Sequence, residues 1–124
     1  MDNRVFLTGK LSRDPELKRV GDEKTARVRF TVSQTRNWKD RRSAEVKDQT
    51  TYWEVAAYGD IALNFHSSTK SGDTVIVVGK LTQRVWEKDG KKYVQVEILA
   101  DHLGLDLSDE AIPFDSEVST QNNP

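Results

Sequence analysis

Apolar and polar residues alternate with a period of two over much of the chain, the spacing of strands with one buried face. Val5, Leu7, Gly9 and Leu11 alternate with Arg4, Phe6, Thr8 and Lys10, which predicts a first strand. Residues 12–24, SRDPELKRVGDEK, contain Asp-Pro and Gly-Asp and read as a connection. Ala26, Val28, Phe30 and Val32 then alternate with Arg27, Arg29, Thr31 and Ser33, predicting a second strand with one apolar face and one basic to polar face. An extended charged hairpin leads into a third strand at about residues 50–58. Because side chains two apart share a face, Trp53, Val55 and Ala57 form its apolar set, while Tyr52, Glu54, Ala56 and Tyr58 point the other way. Asp60 is the expected N-cap of a short helix carrying Ile61, Ala62, Leu63 and Phe65, with Ser71-Gly72-Asp73 ending it. Residues 74–83 hold Val75, Ile76, Val77, Val78 and Leu81 and predict a fourth strand. A hairpin with Asp89-Gly90 at its tip joins it to a fifth at residues 93–100.

Five strands with one short helix between the third and fourth is the order of the OB-fold, an all-β, partly open five-stranded barrel. After Leu107 the periodicity is lost. The expected organisation is therefore one domain over residues 1–104 and an acidic, disordered tail over 105–124.

Length and composition agree with this. A chain of 124 residues with 35% apolar and 31% charged residues has room for one modest core. It has no cysteine, so no disulfide framework, thiolate nucleophile or Cys-type zinc site. No apolar run approaches the ~20 residues of a membrane span, and a cytoplasmic protein is expected. The net charge of −1 conceals an asymmetry. All 19 Lys and Arg occur by Lys92; against 14 acids they leave residues 1–100 at +5, while the remaining six acids lie in residues 101–124. A basic body with an acidic tail suits a protein that binds polyanions.

The densest mixture of cations and rings is residues 35–58, where Arg36, Lys39, Arg41, Arg42 and Lys47 accompany Trp38, Tyr52, Trp53 and Tyr58. Lys and Arg can follow phosphates while flat rings accept bases of any identity. The plainer alternative is a solvated hairpin with Trp38 against its own domain. Alternation selects Tyr52 and Tyr58 as ligand contacts and places Trp53 in the core or a subunit interface. Trp86 rides on the second hairpin among Arg84, Lys88, Lys91 and Lys92, its alternative being a ring packed across its own ribbon. Arg29 and Lys80 complete the candidate cations. No catalytic residue, metal site or cofactor is expected: His66 and His102 stand alone, and no H-x-x-x-H, D-x-D or phosphate loop occurs.

Several dispersed stretches resemble one family. NRVFLTGKLSRDPELK looks like the first strand and Gly-x-Leu-x-x-Asp-Pro-Glu turn of the bacterial single-stranded DNA-binding proteins. Ala26 to Thr31, Asn37-Trp38-Lys39-Asp40, Lys47-Asp48-Gln49-Thr50 with Tyr58-Gly59, and SGDTVIVVGKL leading to Trp86 follow in the family's order, over residues 3 to about 103. The resemblance implies base stacking on Trp38, Tyr52, Tyr58 and Trp86, two of them Tyr where members often have Trp or Phe. Trp53 falls where many members carry His near a subunit contact, and Glu54 where a basic residue is common.

The expected function is sequence-independent binding and protection of single-stranded DNA in replication, recombination and repair, without catalysis. An RNA-binding or primosomal OB module is the alternative, which the rings alone do not separate. The resemblance also implies a homotetramer built on paired first strands. It further implies an acidic tip of the form Asp-Asp-x-Ile-Pro-Phe that docks on replication and repair proteins. Asp109, Glu110, Ala111, Ile112, Pro113 and Phe114 match that tip, but ten residues follow Phe114. A pocket requiring a free carboxylate beside the ring would then lack its charge-assisted partner.

Overall fold

The computed structural model describes residues 3–108. Within them, seven elements follow one another: β1 (Arg4–Leu11), β2 (Glu16–Val20), β3 (Thr25–Lys39), β4 (Val46–Tyr58), α1 (Asp60–Ser68), β5 (Thr74–Lys88) and β6 (Lys91–Leu105). The sheet order is β1-β5-β6-β4-β3-β2, and a further β1–β3 pairing closes five of these strands into a ring, with β2 outside it on β3. Helix α1 lies between the third and fourth ring strands, so the fold is the five-stranded, single-helix OB arrangement expected from the strand count.

Two seams complete the ring. β1 meets β3 only at Lys10↔Ser33 and Leu11↔Val32. β4 meets β6 in parallel at Val55↔Ile98 and Ala56↔Leu99. The inward residues of each strand fill the interior: Leu11, Val28, Phe30, Val32, Val55, Val75, Val77 and Ile98 are buried. Helix α1 covers one end by burying Ala62 and Phe65, whose ring stacks on Phe30 at 4.3 Å between centroids.

The structure corrects three expectations. The segment read as a connection over residues 12–24 contains β2, which pairs with β3 from Glu16↔Arg29 to Val20↔Thr25. In ELKRV only Leu17 packs against the core, so this edge strand is held by backbone pairing, which leaves little trace in the apolar pattern. The helix N-cap is Gly59, not Asp60; its φ of 90° lets the chain leave β4 in a conformation that favours glycine, and no side chain caps the helix. Asp60 instead occupies the first turn, where its charge still suits the helix N-terminus. The last strand does not stop at Ala100. It bulges at Asp101, since consecutive β5 residues Gly79 and Val78 pair with Ala100 and His102. Beyond the bulge, Leu103 and Leu105 return to the core side, and the reversal of parity explains why a strict period of two ends there.

Gly79 sits opposite this bulge, where the strands approach closely. A Cβ there would run into the Leu99 carbonyl and lie 2.8 Å from the Ala100 Cα, both backbone atoms with little room to yield. Gly79→Ala should therefore cost about 1–3 kcal/mol by overpacking. The urea midpoint should fall with little change in slope; an unchanged midpoint would show that β6 can shift to make room.

Candidate nucleic-acid interface

Filling the ring with alternate residues forces the others outward, and on β3, β4, β6 and β5 these form one continuous face. Register lines them up: Arg27↔Tyr58, Arg29↔Ala56, Thr31↔Glu54 and Ser33↔Tyr52 across β3 and β4. Across β5 and β6 the pairs are Lys80↔Leu99, Thr82↔Glu97, Arg84↔Gln95 and Trp86↔Tyr93. Tyr52 and Tyr58 are 62% and 45% exposed, whereas Trp53 packs against the core and donates from Nε1 to Gln34 Oε1 at 2.9 Å. The division of β4 into a Tyr face and a Trp53 face thus follows the alternation. Ala56 shares the outer face but is fully covered, with Arg29 and Leu99 as its register neighbours.

Three arginines stand on this face with the same incomplete bonding. The Nε atoms of Arg27, Arg29 and Arg84 are buried without a hydrogen-bond partner. Arg29 Nε is 3.5 Å from Glu97 Oε2, within ion-pair range but not aimed as a hydrogen bond. Arg84 donates from Nη2 to Gln95 Oε1 at 3.1 Å. Unsatisfied cationic donors at a surface suit an anionic ligand. The face is not uniformly basic, however: Glu54 accepts from Thr31 Oγ1 at 2.8 Å, beside Glu97 on the neighbouring strand. At one end, Tyr58, Leu99, Lys80 and Arg4 border a shallow depression of about 380 Å³. Arg4 donates twice to Asp101, at 2.5 and 3.0 Å, and holds that carboxyl below its ordinary range.

The two hairpins carry the remaining candidates. Beyond the ring, the β3–β4 ribbon continues with Arg36↔Gln49, Trp38↔Lys47 and Lys39↔Val46. Its tip is turned by Asp40, whose carboxylate accepts from the Arg42 amide at 2.8 Å, and Arg41 and Arg42 lie in that turn. Trp38 is 36% exposed under the Arg36 guanidinium, which lies 4.9 Å from the ring centroid. By parity both residues occupy the ribbon face opposite Tyr52, so the structure does not gather Trp38 with the other three rings. Trp86 shares the face of Tyr52 and Tyr58. Its indole stacks on Tyr93 at 5.4 Å and 18°, the packing across the ribbon weighed as an alternative. Lys88 ends β5 at the Asp89-Gly90 turn, where both φ angles are positive, as expected of a tight hairpin.

Arg27, Tyr93 and Arg4 are absent from the sequence-based candidates. Arg27 shares the parity of Arg29, and Tyr93 follows from counting back equally on both sides of the Asp-Gly turn. No local signal pairs Arg4 with Asp101, which lies 97 residues away at the bulge. The proposed tail contacts, Asp109, Glu110, Ile112, Pro113 and Phe114, lie outside the described residues. Among the described residues, no three His, Asp or Glu side chains come together as a metal site, and no helix is long and apolar enough to cross a membrane.

Comparison with known proteins adds a second line. The model of the single-strand binding protein family matches residues 2–106. The chain is similar to the single-stranded DNA-binding protein of Aquifex aeolicus (strain VF5), 34% identical over 105 residues, covering 85% of this chain and 70% of that protein. It is also similar to that of Mycobacterium leprae (strain TN), 36% identical over 108 residues, covering 86% and 64%. The chain thus spans only about two thirds of the length of the latter. Among solved structures, a small single-stranded DNA-binding protein from Streptomyces coelicolor superposes with a TM-score of 0.67 at 25% identity, covering 86% of this chain and 96% of that one. The Plasmodium falciparum SSB complex with ssDNA shares the fold, with a TM-score of 0.71 at 21% identity over 83% and 93% of the two chains.

The two faces of β4 should respond differently to truncation. Trp53→Ala removes a ring packed on the core and should destabilise the fold by roughly 3 kcal/mol, the low end for a large aromatic because Trp53 is only half-buried. Tyr52→Ala should leave stability nearly unchanged. Thermal denaturation of both variants checks this, and the reverse order would mean the faces are inverted.

Proposed function

The chain belongs to the single-strand binding protein family, and from that premise we propose that it holds single-stranded DNA without sequence preference, protecting it during replication, recombination and repair. The observation that carries the reading is the outer face on which Tyr52, Tyr58, Trp86 and Tyr93 alternate with Arg27, Arg29 and Arg84. Stacking contributes roughly 1–3 kcal/mol per base and is indifferent to base identity. Phosphate contacts by Arg27, Arg29, Arg84, Lys80, Lys88 and the Arg36, Lys39, Arg41 and Arg42 of the first hairpin add affinity that salt weakens. The family's members are binding proteins, and the role proposed here is binding without catalysis, in the cytoplasm on the nucleoid.

A homotetramer is part of the same proposal. β1 is paired with β5 from Arg4 to Lys10, but with β3 only at Lys10 and Leu11. Gly9 is packed against β3 and the Thr8 carbonyl accepts from Gln34 Nε2 at 3.0 Å, so the strand edge open to a symmetric partner is residues 5–7, at a Phe6 side chain that is 77% exposed. Light scattering at micromolar concentration should report four copies; a monomer removes this part of the reading. Residues 109–114 are proposed to contact replication and repair proteins. A peptide ending at Phe114 should bind such a partner more tightly than one ending at Pro124, and equal affinities by calorimetry would dismiss the carboxylate argument.

The binding reading itself is tested by titrating the full chain with oligo(dT). Tryptophan emission should fall on binding, and Trp38→Ala should weaken it by roughly 1–3 kcal/mol. Competition by an RNA oligomer of matched sequence should be weaker than by DNA. Equal competition would favour an RNA module instead.

A further inference from the structure

Two arginines stand in the same relation to two tryptophans. Arg36 and Arg84 each precede a tryptophan by two residues, in R-N-W on the β3–β4 ribbon and R-V-W on the β5–β6 ribbon. Each lays its guanidinium over that indole, with Cζ 4.9 Å from the Trp38 ring and 4.2 Å from the Trp86 ring. Side chains two apart on a strand project from the same face about 7 Å apart, and a flat guanidinium is the cation that lies on an indole at this reach. An indole face covered by its own arginine is not open to a base until that arginine leaves. When it leaves, the charge needs a new partner; for Arg84 the need is marked, since its Nε is already buried without one.

We propose that Arg36 and Arg84 are placeholders. Each covers the indole face that a base takes, and on binding the guanidinium moves off the ring onto a phosphate of the strand that displaced it. The inference rests on the single-stranded DNA reading above and gives these two arginines a role the other candidate cations lack. The exchange couples base uptake to phosphate binding: stacking replaces the cation–π attraction at the indole, and the released charge finds the backbone. A strand with bases but no phosphates can claim that face only by displacing the arginine, with nothing to receive it. Arginine then opposes a neutral strand and favours an anionic one.

That opposition in sign is the test. The full chain, Arg36→Gln, Arg84→Gln and the double variant are titrated, by tryptophan fluorescence, with oligo(dT) and with a thymine peptide nucleic acid of equal length, whose backbone is uncharged. Each substitution should weaken oligo(dT) and lower its salt slope by about 0.7 per arginine. Each should also tighten the neutral oligomer by about two- to fivefold, the factor equivalent to an exposed cation–π interaction. Arginines that serve only as phosphate contacts leave the neutral oligomer unaffected, and arginines that merely stiffen the ring weaken both ligands. Hence a neutral oligomer bound no better by any variant than by the wild type overturns the proposal. If Arg84→Gln disturbs the fold, seen as a changed circular dichroism spectrum, Arg36→Gln carries the test alone, because its hairpin lies outside the ring. A wild-type chain that does not bind oligo(dT) overturns the proposed function, a result distinct from failure of this inference.

Discussion

Closure of the sheet through two short seams is the constraint on which the rest of the structure depends. Two residue pairs join β1 to β3 and two join β4 to β6, so every strand must curve far enough to bring those few residues together. The seams admit little bulk. A Cβ on Gly9 would lie 2.5 Å from the Ser33 carbonyl oxygen and 2.6 Å from Val32 Cγ1, and Ala56 and Ala57 beside the other seam are fully buried. Once the ring is closed, pleating leaves no choice about direction: each residue between two interior ones must face out. The outer face is therefore the complement of the core, and its rings and arginines are placed by the residues that alternate with them.

This dependence explains what could be read from the sequence. Wherever packing imposes a strict period of two, as along Ala26, Val28, Phe30 and Val32 or Trp53, Val55 and Ala57, both the strand and the direction of Tyr52 and Tyr58 were legible. Legibility failed where something other than a buried face fixes the backbone. β2 is held by its ladder to β3, the helix start by the positive φ of Gly59, and the end of β6 by a bulge that reverses parity. The Arg4–Asp101 pair spans 97 residues and uses the bulged residue itself, so no local pattern announces it. Trp38 shows a different failure. Its residue type and surroundings marked it as a ligand residue, but its side of the ribbon follows only when parity is carried from Val32 through Gln34 and Arg36.

The charges on the outer face argue against a simple basic patch. Glu54 and Glu97 lie side by side at its centre, and Glu97 is paired with Arg29 where both are largely covered. A carboxylate in that position restrains its arginine and repels a phosphate passing directly over it. Positive charge on this face is thus local, concentrated at Arg27, Arg84 and the Lys80 end, with the two carboxylates between them. Side chains held in this way lose less freedom on binding than solvated lysines would, and preorganisation of that kind adds affinity without adding charge. It also accounts for a chain of net charge −1 that can still serve a polyanion, since what matters is where the cations are fixed.

The opposite placement of Trp38 and Tyr52 limits the path of a strand. Both belong to the β3–β4 ribbon, but their parity sets them on different sides of it. No strand lying flat on the ring face can stack on both. A strand using the four rings named from the sequence has to leave Tyr58 and Tyr52, round an edge of the ribbon near Lys39 and Lys47, and meet Trp38 from behind. The tip, with Arg41 and Arg42 in a turn tied by Asp40, ends that ribbon. The ribbon's length beyond the ring adds no residue to the core, so its two sides carry side chains of different chemistry without disturbing the interior.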